Sequence, residues 1–249
     1  MDVHLARACA GIALAALTGQ FLLGCDSAGS SRSSAPAKSP GASASVPFPV
    51  AVGDTWTYTL ETLGQPLPSL LVKKITGITP VPRGRRVSMA ITYSVYGIPK
   101  TIHQDYLFGT DGSISFPPPG PVTSASSPAN AGNVIVPPLS VVNSGRPVTW
   151  TVKMPPVKLA GRTISGETRI TMQGGGTASV TVPAGTYRAT VVNMTVKATT
   201  SGFDKPLVAV QRMWFAPHVG EVGEEVINAS PGSGQVVSIL KLRSFTGRS

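Results

Sequence analysis

Asp54-Thr55-Trp56-Thr57-Tyr58-Thr59-Leu60 alternates strictly, with Trp56, Tyr58 and Leu60 on one side of an extended chain and Thr55, Thr57 and Thr59 on the other. Successive side chains of a strand point to opposite faces, so this pattern is that of a half-buried β-strand. The same signature recurs downstream. Segments 69–78, 86–96, 101–108, 148–154, 166–172, 177–182, 187–198, 207–215, 221–228 and 236–245 are rich in Val, Ile, Thr or aromatic residues and are bounded by Gly, Pro, Asn or Asp. After residue 25 no segment carries a helical apolar stripe. Turn signals such as Thr110-Asp111-Gly112 and Gly174-Gly175-Gly176 separate the runs. The reading is all-β: a single curved antiparallel sheet, half-barrel or open barrel, of about 10–12 strands that curls to protect its edges.

Composition agrees. Charged residues make up 13% of the chain, while 27 Gly and 23 Pro supply turns; ordinary soluble domains carry about a quarter charged residues. Upstream of the strands, Asp26 to Ser45 is almost entirely Ser, Ala, Gly and Pro, with Arg32 and Lys38. Such a stretch buries too little apolar area to offset the entropy of ordering it, and about twenty such residues span roughly 25 Å. It is read as a tether.

The first 24 residues are read as a signal peptide. Arg7 gives a short positive start, Ala8 to Leu23 is mostly apolar yet shorter than the ~20 residues that span a bilayer, and Leu22-Leu23-Gly24-Cys25 closes it. This closing motif resembles the acylation box of bacterial lipoproteins. The resemblance implies lipidation at Cys25, with palmitate among the acyl groups expected, and a location in the bacterial cell envelope. There the protein would be anchored on the outer side of the cytoplasmic membrane, or on the periplasmic side in a Gram-negative cell. Leu23 departs mildly from the smaller residue common at that place. The organisation expected is therefore signal peptide 1–24, acylated Cys25 and linker 25–46, and a β domain 47–249 with a long Pro/Ser-rich loop at 116–138. Thr55-Trp56-Thr57 is echoed by Thr149-Trp150-Thr151, which leaves two small β domains as an alternative.

Chemistry is sparse. The two cysteines are Cys9, in the signal segment, and Cys25, so the β domain has no thiol for a disulfide or a thiolate metal site. His103 and Asp105 share a strand face, but no Gly-x-Ser-x-Gly nucleophile elbow accompanies them. Glu221, Glu224 and Glu225 lack the Asp/Asn/Gly pattern of calcium loops. Gly174-Gly175-Gly176 lacks the helix and Lys of a phosphate cradle. No catalytic residue, cofactor or metal is expected. The net charge of +10 comes in short clusters, Lys73-Lys74, Arg83 with Arg85-Arg86, and Lys241 with Arg243 and Arg248. Without aromatic interleaving these do not suit nucleic acid; anionic lipid, an anionic cell-wall polymer or another envelope protein are the partners such charge would fit.

Four motifs carry a second resemblance: Val52-Gly53-Asp54-Thr55-Trp56-Thr57-Tyr58, Pro138 to Trp150, Val182-Pro183-Ala184-Gly185-Thr186-Tyr187, and Trp214-Phe215-Ala216-Pro217-His218-Val219-Gly220-Glu221-Val222. In this order they resemble exported bacterial proteins whose domains look like the half-barrel of the periplasmic lipoprotein carrier LolA and its outer-membrane receptor LolB. Those families usually have Gly at the place of His218 and an aliphatic residue at the place of Glu221. The resemblance implies a concave apolar face able to hold a lipid or acyl chain, lined by or packed with Trp56, Tyr58, Trp150 and Trp214. Pro183, Gly185, Pro217 and Gly220 read as turn scaffold.

Overall fold

The computed structural model describes residues 50–65, 67–95, 98–116, 134–159, 162–201, 205–229 and 234–247. The signal segment, the tether and residues 117–133 of the predicted loop lie outside the described residues.

Twelve strands form one antiparallel sheet: β1 (Thr55–Thr62), β2 (Ser69–Val81), β3 (Gly84–Val95), β4 (Ile98–Gly109), β5 (Ile114–Ser115), β6 (Val134–Val136), β7 (Val148–Leu159), β8 (Arg162–Val182), β9 (Gly185–Thr200), β10 (Leu207–Ala216), β11 (Gly220–Asn228) and β12 (Gln235–Thr246). Their order across the sheet is β6-β5-β4-β3-β2-β1-β12-β11-β10-β9-β8-β7. Two six-strand meanders thus meet at the centre, where β1 pairs with β12. Trp56 opens the first meander and Trp150 the second, and both halves belong to one sheet. The sheet is curved and open, with β6 and β7 at its edges.

Cross-strand register defines the two faces. Tyr58 lies opposite Leu71 and Leu242, and Leu60 opposite Leu240, which in turn faces Glu224. Trp56, Tyr58, Ile75, Val87, Met172, Met213, Val226 and Leu242 are buried on this inner face. Each large apolar side chain removed from water contributes about 1.5–3 kcal/mol. The opposite face carries Thr pairs such as Thr92 with Thr101 and Thr149 with Thr171, bonded at 2.8 and 2.9 Å.

Three features depart from the sequence expectation. Gly174-Gly175-Gly176 is not a turn: segments 166–172 and 177–182 are one 21-residue strand, β8, whose register against β9 shifts between Gly174 and Thr177. Glycine is needed there because a Cβ on Gly174 would run into the Val142 carbonyl. That carbonyl belongs to the second feature, a one-and-a-half-turn helix, α1 (Leu139–Ser144), closed by Gly145 at φ 65°. Its buried Val142, in a helix of only six residues, is too little periodicity to read from sequence. Third, the predicted 116–138 loop contains β6, paired to β5.

Candidate functional site

Residues 219–221, at the start of β11, fold over the inner face and are held there by side chains from β1 and β2. The Trp56 indole N–H donates to the Val219 carbonyl at 2.6 Å, and its ring stacks on Phe245 at 5.2 Å. The Tyr58 hydroxyl donates to the Glu221 carbonyl at 3.0 Å, and Lys73 Nζ meets Glu221 Oε2 at 2.7 Å. Two strands, β1 and β12, lie between β2 and β11 in the sheet, so the sheet must curl for this pair to form. Lys73 also stands 5.1 Å from the centre of the Tyr58 ring, a cation–π geometry.

The strand pattern explains why a lysine is there. Leu71, Lys73 and Ile75 alternate on one face of β2, so Lys73 is carried inward by the same period that buries Ile75. Glu221 and Glu224, three apart, would take opposite faces of a regular strand. The register between β10 and β11 shifts so that Gly223 faces Trp214 while Glu221 faces Phe215, and the extra residue brings both carboxyls inward. Gln211, 4% exposed, enters from β10 opposite Val226. Its amide hydrogen-bonds the Glu224 carboxyl, which also bonds with Glu221.

Ionisation follows from this crowding. Burial, then the Glu221 charge, pushes the Glu224 carboxyl up to about 7. Burial opposes the Lys73 charge, but the Glu221 carboxylate together with the neighbouring Tyr58 and Tyr106 more than offsets it and holds the ammonium above its usual range. Burial raises the hydroxyls of Tyr58 and Tyr106. The cluster is not sealed: the Lys73 side chain is 25% exposed and that of Glu221 9%. On the same face, half-buried Leu60, Leu71, Tyr93 and Ile102 border it as an apolar strip. Just beyond Leu60 lies an open cleft of about 410 Å³, lined by Glu61, Thr62, Leu63, Gln65, Pro68 and residues 236–239. Leu63, Leu67 and Leu70 are exposed beside it.

Trp56, Tyr58 and Trp150 are buried; the first two are packing that holds the cluster, with no ring lining an empty cavity. Trp214 is not inward: it pairs with Val191 and Gly223 on the face opposite Met213 and Phe215, and its ring covers Gly223, where an added Cβ would lie 3.4 Å from it. Pro183 and Gly185 form the β8–β9 turn, Gly185 at φ 137°, and Ala184 N–H donates to the Leu242 carbonyl at 3.0 Å. Pro217 and Gly220 form the β10–β11 turn, with His218 at φ 62° and Gly220 at φ 89°. His103 and Asp105 sit on the outer face opposite Ala90 and Ser88, where Ser88 Oγ donates to Asp105 at 2.6 Å. Glu225 faces Arg212 on the outer side. No cluster of three metal-ligating side chains occurs among the described residues, and no helix among them is long and apolar enough to cross a membrane. Cys25 lies outside the described residues. Lys73 and Gln211 were missed by sequence reasoning as site residues; the inward parity of Lys73 beside Leu71 and Ile75 was the available signal.

No protein-family model matches the chain, and no curated protein matches it. Two solved structures are similar to it. One is a candidate lipoprotein of Parabacteroides distasonis, 15% identical, TM-score 0.49, with 81% of this chain and 99% of that one covered. The other is a candidate exported protein with a YmcC-like fold from Bacteroides fragilis, 16% identical, TM-score 0.48, covering 82% and 100%. Neither description names the lipoprotein carrier or its receptor, so that resemblance remains an expectation from the sequence.

Proposed function

We propose that this chain is a lipid-anchored protein of the bacterial cell envelope whose β domain binds a lipid or another apolar ligand without catalysing a reaction. The observation that carries the binding reading is the half-exposed strip of Leu60, Leu71, Tyr93 and Ile102 running toward the 410 Å³ cleft. Apolar side chains left on the inner face of a curved sheet gain by being covered, at about 25 cal/mol per Å². The anchor rests on Leu22-Leu23-Gly24-Cys25 and the tether-like composition behind it. Two measurements test it. Labelled palmitate should mark the wild-type chain in its host and not Cys25→Ser, and mass spectrometry of the purified protein should recover bound lipid. Recovery of none after saturating exposure to membrane extract overturns the binding part; absence of label overturns the anchor.

A second reading has its own observation. Much of the inner face is already filled by Trp56, Tyr58, Met172, Met213 and Leu242, and Lys74, Arg83 and Arg243 are exposed. A packed core with basic outer residues suits an envelope interaction module that holds an anionic cell-wall polymer or a protein partner. Binding of isolated cell-wall polymer that disappears at 0.5 M salt, on the order of a 4 Å screening length, supports this second reading.

A further inference from the structure

The ionic cluster has an unused acceptor. Gln211 is 4% exposed, its amide N–H side serves Glu224, and its Oε1 has no hydrogen-bond partner among the described residues. An interior acceptor left without a donor is costly, and a donor arriving with a ligand would recover that cost. Around it stand the Glu224 and Glu221 carboxyls from β11, Lys73 from β2, Tyr58 from β1 and Tyr106 from β4. Lys73 is already engaged by Glu221 at 2.7 Å. What is left over is acceptor capacity on one side and an apolar strip on the other.

We propose that this cluster is the head-group site for a single-chain amphiphile bearing a primary ammonium, its three N–H donors directed at Gln211 Oε1, Glu224 and Glu221 and its chain along Leu60 and Leu71. The proposal rests on the apolar-ligand reading above and adds the ligand's chemistry. The donor count selects the head group. An ammonium offers three donors and a positive charge, a hydroxyl offers one donor and no charge, and a carboxylate offers none and meets two acidic side chains. Proton balance follows. Below pH 7 Glu224 carries a proton donated toward Glu221; the incoming ammonium takes over that role, and the Glu224 proton leaves to solvent. No bond is made or broken in the ligand, which arrives and stays protonated.

The test is isothermal calorimetry of the purified full chain with dodecylamine, dodecanol and dodecanoate below their micellar concentrations, repeated in two buffers of different ionisation enthalpy. Dodecylamine should bind about tenfold or more tighter than the other two. It should release close to one proton at pH 6 and almost none at pH 8.5, because the site is already ionised there. Glu224→Gln, which is isosteric, should weaken dodecylamine about tenfold and abolish proton release; Gln211→Met should weaken it without abolishing release. Binding to the apolar leader is common to all variants and drops out of the comparison. Should the three amphiphiles bind equally, or dodecylamine bind without releasing a proton at pH 6, the ammonium assignment is wrong while the apolar-ligand reading stands. Should none of the three bind although palmitate labels Cys25, both the head-group site and the apolar-ligand reading fall and the anchor survives.

Discussion

Lys73 and Glu221 show how much a single pair can decide. Removing one partner leaves the other charge in a place built for two; for a fully buried pair this costs about 3–5 kcal/mol, and less here because Lys73 keeps a quarter of its side chain in water. Lys73→Met is therefore expected to cost about 2 kcal/mol in urea unfolding, and the double change Lys73→Met with Glu221→Leu should recover most of it. A double variant as unstable as the single would mean the lysine acts through packing alone. Glu224 gives the pH dependence. Its folded carboxyl keeps a proton up to about 7 against 4.5 ordinarily, so between those values the unfolded chain binds fewer protons and stability falls as pH rises, then levels off above 7. Urea midpoints should drop from pH 5 to pH 8, and Glu224→Gln should flatten that drop; an unchanged slope in the variant would assign it elsewhere. Alternation alone placed Trp56 and Tyr58 on the inner face. It failed for Trp214, whose neighbours Met213 and Phe215 take the inner side. Nor could it unite Glu221 with Glu224, because the bulge that does so lies in backbone geometry that spacing does not encode.

At the scale of elements, one turn and one glycine inside a strand carry the arrangement. The β10–β11 turn places His218 at φ 62°, a left-handed conformation that costs a residue with a Cβ about 1 kcal/mol or more. The resemblance read from the sequence implies Gly at this position. His218→Gly should gain about 0.5–1 kcal/mol, net of the larger backbone entropy that glycine loses on folding. A loss on thermal unfolding would show that the imidazole makes a contact worth more than the strain. Gly174 is the opposite case. Its sheet position is filled from above by α1, and a Cβ would collide with the Val142 carbonyl, a backbone atom that cannot move without shifting the helix. Gly174→Ala should destabilise by about 1–3 kcal/mol, as overpacking does, with amide exchange at 139–144 rising first. The three glycines read as a turn because consecutive Gly usually marks one; what the sequence could not show was the helix pressed against them.

The whole molecule is organised by the seam between its first and last strands. β1 and β12 lie far apart in the chain, yet their pairing joins the two meanders, and the Trp56, Tyr58 and Lys73 contacts to residues 219–221 cross the same seam. Long-range pairing of this kind is entropically costly to start and cooperative once made. The echo of Thr55-Trp56-Thr57 in Thr149-Trp150-Thr151 left one or two domains open in the sequence, since local patterns do not say which distant strands pair. If the seam is the keystone, neither meander holds its inner face without the other. Leu242, buried where β12 meets β1 and where the β8–β9 turn bonds its carbonyl, is the residue to test this. Leu242→Ala should cost about 2–5 kcal/mol. In wild type and variant alike, fluorescence of Trp56-only and Trp150-only chains, the other tryptophans replaced by Phe, should report one shared unfolding midpoint. Separated midpoints, with Trp56 lost first in Leu242→Ala, would mean that the meanders are independent folding units joined only at their edges, and that the curl forming the ionic cluster is not what holds the sheet together.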